Sequence, residues 1–296
     1  MLMNDAQVKT LMEALPYLRD FKDKTIVVKY GGNAMLNDEI KNKVLQDVVF
    51  LQCAGMRPVV VHGGGPEITA MLMQAGKKSE FISGLRVTDA ESVGIAEMAL
   101  VGKINTDLVS RLNTLGGKAV GLNGKDANLI RAKKHLADVY ENGEVNLVDI
   151  GYVGNVEHVN TELIQVLLDN GFIPVIAPTG VGSAGETYNI NADSVAGEIA
   201  GALKAEKLLV LTDVKGIYSD YRDENSFIST LTFEKAQELI IRGNIDGGMI
   251  PKVRACITAL SGGAKKTHII DGRAEHTILM EIFSDKGVGT EVVKEL

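Results

Sequence analysis

Short apolar runs alternate with longer stretches in which apolar residues recur every three or four positions, a rhythm that predicts strands alternating with helices. Ile26, Val27 and Val28 predict a buried strand over Thr25–Tyr30, and Pro58–His62 (PVVVH) predicts a second. Between them Asn37–Ala54 has helical period, with Asn37 as its cap and Asp38 and Glu39 in the first turn, where carboxylates are favoured. Pro66 opens a helix after Gly63–Gly65, and Thr88-x-x-Glu91 has the form of a capping box leading a long helix to about Leu115. Lys118–Leu122 and Phe172–Ala177 predict further strands, while Leu129–Val159 lacks helical period and predicts hairpins turning at Gly143 and Gly154. Thr179–Thr187, rich in Gly, Ser and Thr, is the candidate boundary between two lobes. The second half repeats the rhythm: helix Ala192–Leu203, strand Lys207–Thr212, helices Thr232–Arg242 and Ile250–Leu260, then strand Thr267–Asp271.

Such βα alternation predicts an α/β protein whose mostly parallel sheet is covered by helices on both faces. No internal repeat is evident. Residues 1–18 stand apart, because Val8, Leu11, Met12, Leu15 and Leu18 recur at helical spacing before the first strand. That amphipathic helix either packs on its own domain or forms an arm that joins subunits. The expected division is an arm over 1–18, one lobe over 19–180 and a second over 181–296.

At 296 residues the chain suits two lobes or one large α/β domain. A net charge of −7 and no Lys/Arg cluster argue against a nucleic-acid partner. An anionic substrate would therefore be held by a few local cations and N–H groups. Cys53 and Cys256 lack the spacing of a metal or disulfide framework and are expected to be buried, inert thiols. No basic leader and no apolar run of bilayer length is present, so the expectation is a cytoplasmic protein with no membrane contact.

The chemistry concentrates after the strands. Lys29 ends the first, followed by Gly31 and Gly32, which let backbone N–H groups approach an anion. The plainer reading is a surface lysine before a turn. His62-Gly63-Gly64-Gly65 exposes N–H groups at a helix N-terminus, which favours phosphate or carboxylate. A lipase-type oxyanion hole would need a G-x-S-x-G elbow, which is absent, and Ile68 breaks the G-x-G-x-x-G dinucleotide fingerprint. No P-loop is present either. Arg86 is suited to a bidentate grip on a carboxylate, though alone it reads equally as a surface ion-pair residue. In Asn189-Ile190-Asn191-Ala192-Asp193, Asn191 is a candidate cap and Asp193 a first-turn carboxylate able to hold lysines or a metal. Asn189 offers a donor and an acceptor to a polar ligand. Lys252 falls in the first turn of its helix, where a cation is disfavoured unless an anion shares the site.

Taken in order, KYGG, VHGGGP, GLRVT, GLNGKDA, YNINAD, LTDVKGIY and GGMIPKV resemble the amino acid kinase family, in its branch that phosphorylates N-acetylglutamate. The resemblance runs from about Thr25 to the C-terminus. It implies a three-layer α/β/α sandwich with a mostly parallel central sheet, the amino acid kinase fold, plus the N-terminal amphipathic helix. It implies ATP and Mg²⁺ as cofactors and N-acetyl-L-glutamate as the acceptor, in the second step of arginine biosynthesis. By motif, Lys29, Lys252 and Asp193 would be catalytic, with no metal-ligand set. Gly64, Gly65, Arg86 and Asn189 would hold the acceptor. Gly31, Gly32, Asp213, Val214, Lys215, Gly216, Ile217, Tyr218, Asn244, Ile245 and Asp246 would line the ATP site.

The N-terminal helix and the tail from Asp271 to Thr290 are similar to arginine-inhibited members, which implies His276, Glu281 and Gly287 as residues of an L-arginine effector site. It also implies a homo-oligomer, a hexamer built as a trimer of dimers. Aspartokinases and glutamate 5-kinases usually carry extra regulatory domains for which no residues remain here. A non-catalytic sensor is the alternative of a different class. A nicotinamide-dependent oxidoreductase fits less well because the glycine fingerprint fails.

Overall fold

Among the residues described by the computed structural model (4–35, 37–141, 144–220, 222–245, 247–284 and 287–295), eight strands form one central sheet. The chain begins with α1 (Asp5–Asp20), β1 (Thr25–Tyr30), a 3₁₀ turn over Gly32–Met35, α2 (Asp38–Cys53), β2 (Arg57–His62) and α3 (Gly65–Gln74). A small ribbon, β3 (Phe81–Ile82) and β4 (Leu85–Arg86), leads into one continuous rod: α4 (Ala90–Glu97), a π-helical stretch Met98–Asn105 and α5 (Thr106–Thr114). Next come β5 (Ala119–Asn123), the long hairpin of β6 (Ile130–Glu141) and β7 (Glu144–Val159), α6 (Glu162–Asp169), β8 (Ile173–Ala177), β9 (Thr179–Val181) and β10 (Thr187–Ile190). The remainder is α7 (Ala192–Ala202), β11 (Lys207–Thr212), β12 (Ile217–Tyr218), β13 (Phe227–Ile228), β14 (Thr230–Thr232), α8 (Phe233–Ile241), α9 (Met249–Gly262), β15 (Lys266–Asp271), α10 (Thr277–Ile282) and β16 (Thr290–Val293).

The sheet order is β14-β16-β15-β11-β1-β2-β8-β5, with every neighbouring pair parallel except β15 and β16. Successive side chains of a strand face opposite ways. Val27, Val59, Val61, Leu208 and Val210 therefore pack on one side with Val195 and Ile199 of α7 and Cys256 of α9. Ile26, Val28, Val60 and Leu209 pack on the other, against Val44 and Val48 of α2, Leu100 of the π stretch and Leu108 of α5. Two cores back to back on one sheet make the three-layer α/β/α sandwich. A side sheet of β10-β7-β6-β9 closes into a small barrel.

β1 pairs with β2 on one side and β11 on the other, and the order reverses between β1 and β11. That reversal leaves a crevice beyond the carboxyl ends of these strands, where ligands of open α/β sheets bind.

Several expectations are corrected. The cap of α4 is Asp89, whose Oδ1 accepts from the Ser92 amide at 2.7 Å, while the Thr88 hydroxyl donates to the Arg86 carbonyl. Asp89 stands one position nearer the helix, and its carboxylate only accepts, while the Thr88 hydroxyl is already engaged as a donor. The segment 129–159 is one long hairpin, and Gly154 lies within β7, where a Cβ would come 2.6 Å from Cβ of Tyr188. It permits close packing of β7 on β10 and makes no turn. Gly143 lies outside the described residues. Cys256 is buried but Cys53 is exposed at the end of α2. α6, α10 and β16 are further elements, too short for a period to be legible. Thr179–Thr187 forms β9, a turn and the start of β10.

Candidate active site

Alternation along β1 puts Lys29 on the same face as Val27, the face covered by α7 and α9. Asn191 caps α7 through its Oδ1, which accepts from the amides of Asp193 and Ser194, and this sets Asp193 in the first turn. Lys29 Nζ lies 2.8 Å from Asp193 Oδ1. From the opposite side Lys252 Nζ, at the start of α9, donates to Asp193 Oδ2 at 3.2 Å and to the Gly248 carbonyl at 3.1 Å. Lys29 and Asp193 are each only 5% exposed. Burial alone would raise the Asp193 pKa, but the flanking ammoniums outweigh it and hold the carboxyl below its ordinary value. The cluster therefore carries two positive charges against one negative, a net positive charge where the crevice opens.

Two cavities meet at this cluster. One, of about 630 Å³, lies between the ends of β1 and β11 and is lined by Gly31, Gly32, Asp213, Tyr218, Ile245 and Lys252 among others. Val214, Gly216, Ile217 and Asn244 also line it, while Lys215 is exposed outside its wall and Asp246 lies outside the described residues. Leu211 and Met249 give it an apolar floor; both fall inside the motifs LTDVKGIY and GGMIPKV, yet as apolar residues beside polar ones they carry no sign of lining a ligand site.

The other cavity, about 260 Å³, lies beyond β1 and β2 and is lined by Lys29, Gly64, Gly65, Arg86, Asn189 and Asp193. Arg86 is buried, and its guanidinium donates to the Gly65 carbonyl at 3.0 Å, to Thr69 Oγ1 at 2.9 Å and to the Ser79 hydroxyl, with the Phe81 ring beneath it at 4.7 Å. Among the described residues it forms no ion pair with a carboxylate, and its partners are all neutral. Its charge is thus available to an anionic ligand. Phe81, Leu85, Leu100, Val153 and Pro178 supply apolar wall, gathered from separate parts of the chain, with only Leu85 inside a quoted motif, GLRVT. Gly64 is required by contact: a Cβ there would lie 2.5 Å from Ile104 Cδ1 and 2.6 Å from Leu100 Cδ2.

A third cavity, about 630 Å³, opens at the amino ends of β11 and β15, the opposite end of the sheet. Tyr17 and Phe21 at the end of α1 line it together with Lys207, His268, Glu281 and Gly287. Glu281 Oε1 accepts from Lys207 Nζ at 2.9 Å and from His268 Nδ1 at 3.0 Å, and Oε2 from the Val288 amide at 3.0 Å. Burial opposes ionisation, yet these partners prevail and bring the carboxyl down to about 2. His276 does not line this cavity. It precedes α10 and lies 2.5 Å from the buried carboxylate of Asp47 on α2.

A parallel sheet between helical layers, with two lysines and a carboxylate joining two cavities at its carboxyl edge, defines an α/β/α phosphotransferase architecture. The sequence profile of the amino acid kinase family matches residues 24–271, and the chain belongs to that family. It is 59% identical over 283 residues to the acetylglutamate kinase of Moorella thermoacetica, covering 96% of each chain. It also superposes, with a TM-score of 0.83 and 27% identity, on the N-acetylglutamate synthase of Neisseria gonorrhoeae complexed with coenzyme A and N-acetylglutamate, covering 99% of this chain and 64% of the synthase. The complex of that synthase with coenzyme A and L-arginine gives a TM-score of 0.80 at 26% identity, over 98% of this chain and 66% of the other. The chain thus spans about two thirds of the synthase's length.

Proposed function

We infer that this chain transfers the γ-phosphoryl group of ATP to the side-chain carboxylate of N-acetyl-L-glutamate, yielding N-acetylglutamyl 5-phosphate in arginine biosynthesis. The observation that carries this reading is the Lys29–Asp193–Lys252 cluster at the meeting of two cavities. ATP would occupy the larger, with its phosphates toward Gly31, Gly32 and Lys252. The acylated amino acid would occupy the smaller, its α-carboxylate facing Arg86 and its amide facing Asn189. The larger volume suits the nucleotide, and identity to an acetylglutamate kinase supports N-acetylglutamate as the acceptor.

Two anions must be brought together, and the net positive cluster offsets their repulsion. A γ-carboxyl with an ordinary pKa near 4.3 is ionised at neutral pH, so attack on phosphorus needs no general base. Lys29 lies against the smaller cavity, where charge grows on the transferring group, and Lys252 lies against the larger, where charge builds toward the leaving phosphate. Asp193 holds both ammoniums in place before any ligand arrives. Among the described residues no group of three His, Cys, Asp or Glu side chains is placed to hold a metal. Mg²⁺ would come with the nucleotide phosphates, neutralising part of their charge.

The effector reading rests on the third cavity. Glu206, Glu281 and Glu291 outnumber its two lysines there, which suits a cationic guanidinium ligand, and the gonococcal synthase is known with L-arginine. Asp20 adds a fourth carboxylate from α1. Val8, Leu11, Met12 and Leu15 of α1 are not buried, and α1 has no buried residue of its own, so a second copy is the fitting partner for that face. We propose with it a hexamer formed from dimers through this arm and, separately, a cytoplasmic location and lobes divided near residue 180. Among the described residues no helix is long and apolar enough to cross a membrane.

The test is turnover with ATP-Mg²⁺ against a panel of acylated and free amino acids, trapping the acyl phosphate as a hydroxamate. Hydroxamate from N-acetylglutamate, and little from glutamate or aspartate, is the expected result. ATP consumption with no acyl phosphate from any carboxylate would overturn it.

A further inference from the structure

His62 ends β2 with its ring wholly buried, on the face opposite Lys29, and the proposed phosphoryl transfer makes no direct use of it. Its Nδ1 lies 2.9 Å from the Gly63 carbonyl. A carbonyl oxygen only accepts, so Nδ1 carries the proton. Nε2 is then a lone pair, and Asn105 Nδ2 stands 3.1 Å from it as donor. The same amide nitrogen donates to the Val175 carbonyl at 2.8 Å, so turning the amide over would set an oxygen against two acceptors. The network closes in one way: neutral imidazole, Nδ1–H tautomer. Burial pushes the ring pKa down to about 4, in keeping with a neutral ring.

What this network grips is the peptide between Gly63 and Gly64. In a trans peptide the C=O and the following N–H point in opposite directions. The Gly63 carbonyl turns toward His62, beneath the sheet face that holds the π-helical rod. The Gly64 N–H is thereby turned to the other face, where Lys29 lies and where Gly63, Gly64 and Lys29 line one cavity. Further contacts hold the backbone on either side of that peptide: the Gly63 N–H, in the preceding peptide, donates to the Tyr30 carbonyl at 2.7 Å, and the Leu100 and Ile104 side chains leave no room for a Cβ on Gly64. Leu100, Ile104 and Asn105 all belong to the π-helical stretch Met98–Asn105. The wider turn of a π-helix changes which residues share a face, and such bulges are frequent at functional sites. Gly121 leaves room for the Asn105 amide, since a Cβ there would lie 2.1 Å from Oδ1.

We propose that His62 and Asn105 are positioning residues for phosphoryl transfer, acting as a neutral relay that aims the Gly64 N–H at the transferring group beside Lys29. This rests on the kinase reading above. A preaimed backbone donor contributes where charge develops, so its loss falls on kcat, and losing one such donor costs about 100-fold or more.

The test combines kinetics with a readout that needs no substrate. In the full-length protein, ¹⁵N spectra of the imidazoles, with His62 assigned by its disappearance in His62→Asn, are expected to show the Nδ1–H tautomer. Asn105→Leu is expected to mix the two tautomers. His62→Phe is expected to lower kcat about 100-fold, with the ATP Kd from titration calorimetry within about three-fold of wild type, as a misfolded chain would not give. His62→Asn, whose side-chain nitrogen reaches about where Nδ1 does, is expected to recover at least about ten-fold of that loss. An Nε2–H tautomer in the wild type, or a His62→Phe enzyme within about three-fold of wild-type kcat, would overturn the proposal. So would an Asn variant no better than Phe. Failure of the wild type to phosphorylate N-acetylglutamate would instead sink the substrate reading, leaving the tautomer result to stand by itself.

Discussion

Lys29 and Asp193 form a buried ion pair at 2.8 Å, joining the first strand of the sheet to the first turn of α7 at the point where two cavities meet. Lys252 approaches the other oxygen of that carboxylate. One acidic side chain thus sets the separation of two cations that, on the proposed reading, act on opposite ends of a phosphoryl group.

Replacing Asp193 with Asn keeps the shape and removes the charge. Two ammoniums then face each other without a counter-ion. We expect kcat to fall about 100-fold or more and stability to drop by about 3 kcal/mol, the cost typical of breaking a buried pair. Lys29→Ala and Lys252→Ala are each expected to lower kcat by about 100-fold or more. Steady-state kinetics and urea unfolding on the same preparations check these values, and near-normal turnover in the folded lysine variants would defeat the assignment.

Gly64 and Gly65 are neighbours with unequal tolerance. An alanine Cβ at Gly64 would meet Ile104 and Leu100, whereas at Gly65 nothing lies within 4 Å. Gly64→Ala is expected to cost about 1–3 kcal/mol of stability together with activity, and Gly65→Ala little stability. Adding Leu100→Ala to Gly64→Ala should return part of the lost stability in thermal or urea melts.

The buried ring of His62 gives a stability change with a definite sign. Its ordinary pKa of 6.5 falls to about 4 in the fold, mainly through burial. Between those values the unfolded chain takes up a proton that the folded chain refuses, so stability rises with pH. The contribution is fully present above about 6.5 and is lost as pH falls through about 4. It amounts to roughly 3 kcal/mol at 1.36 kcal/mol per unit. Urea midpoints at pH 7 and pH 4.5 should separate less in His62→Phe than in the wild type.

Glu281 carries the effector prediction. Held near 2 against the pull of burial by His268, Lys207 and the Val288 amide, it is ionised at any working pH. Glu281→Ala should raise the arginine concentration for half-inhibition at least about ten-fold, read from inhibition curves. It should also leave Lys207 buried and unpaired, at a cost of about 3 kcal/mol. Acid stability follows the same carboxylate: its contribution is present above about 4.5 and disappears as pH falls through about 2.

Local signals account for much of the architecture. The apolar run Thr25–Tyr30 and the strand Lys207–Thr212 have the bounds expected from their patterns, because a strand buried on both faces leaves a continuous apolar signature. Caps such as Asn37 and Asn191 were legible because their chemistry is completed within three residues. The rod from Ala90 to Thr114 reads as one ordinary helix, and nothing local marks the π-helical stretch that brings Asn105 under His62. Thr88 misleads because two adjacent residues both suit a cap; its hydroxyl instead donates to the Arg86 carbonyl, and Asp89 accepts from the Ser92 amide.

The amino-acid sequence alone determined the βα rhythm, the parallel sheet between helical layers, and the lysines and glycines beside its strand ends, since each depends on neighbours a few positions away. Only the tertiary structure decided that Lys29 and Lys252 share Asp193, that His276 turns to Asp47 while Glu281 turns to Lys207, and that His62 reaches Asn105. Those pairings join distant parts of the chain, and their geometry is set by how side chains of separate elements fill a common interior. Periodicity along one strand or helix carries no record of that.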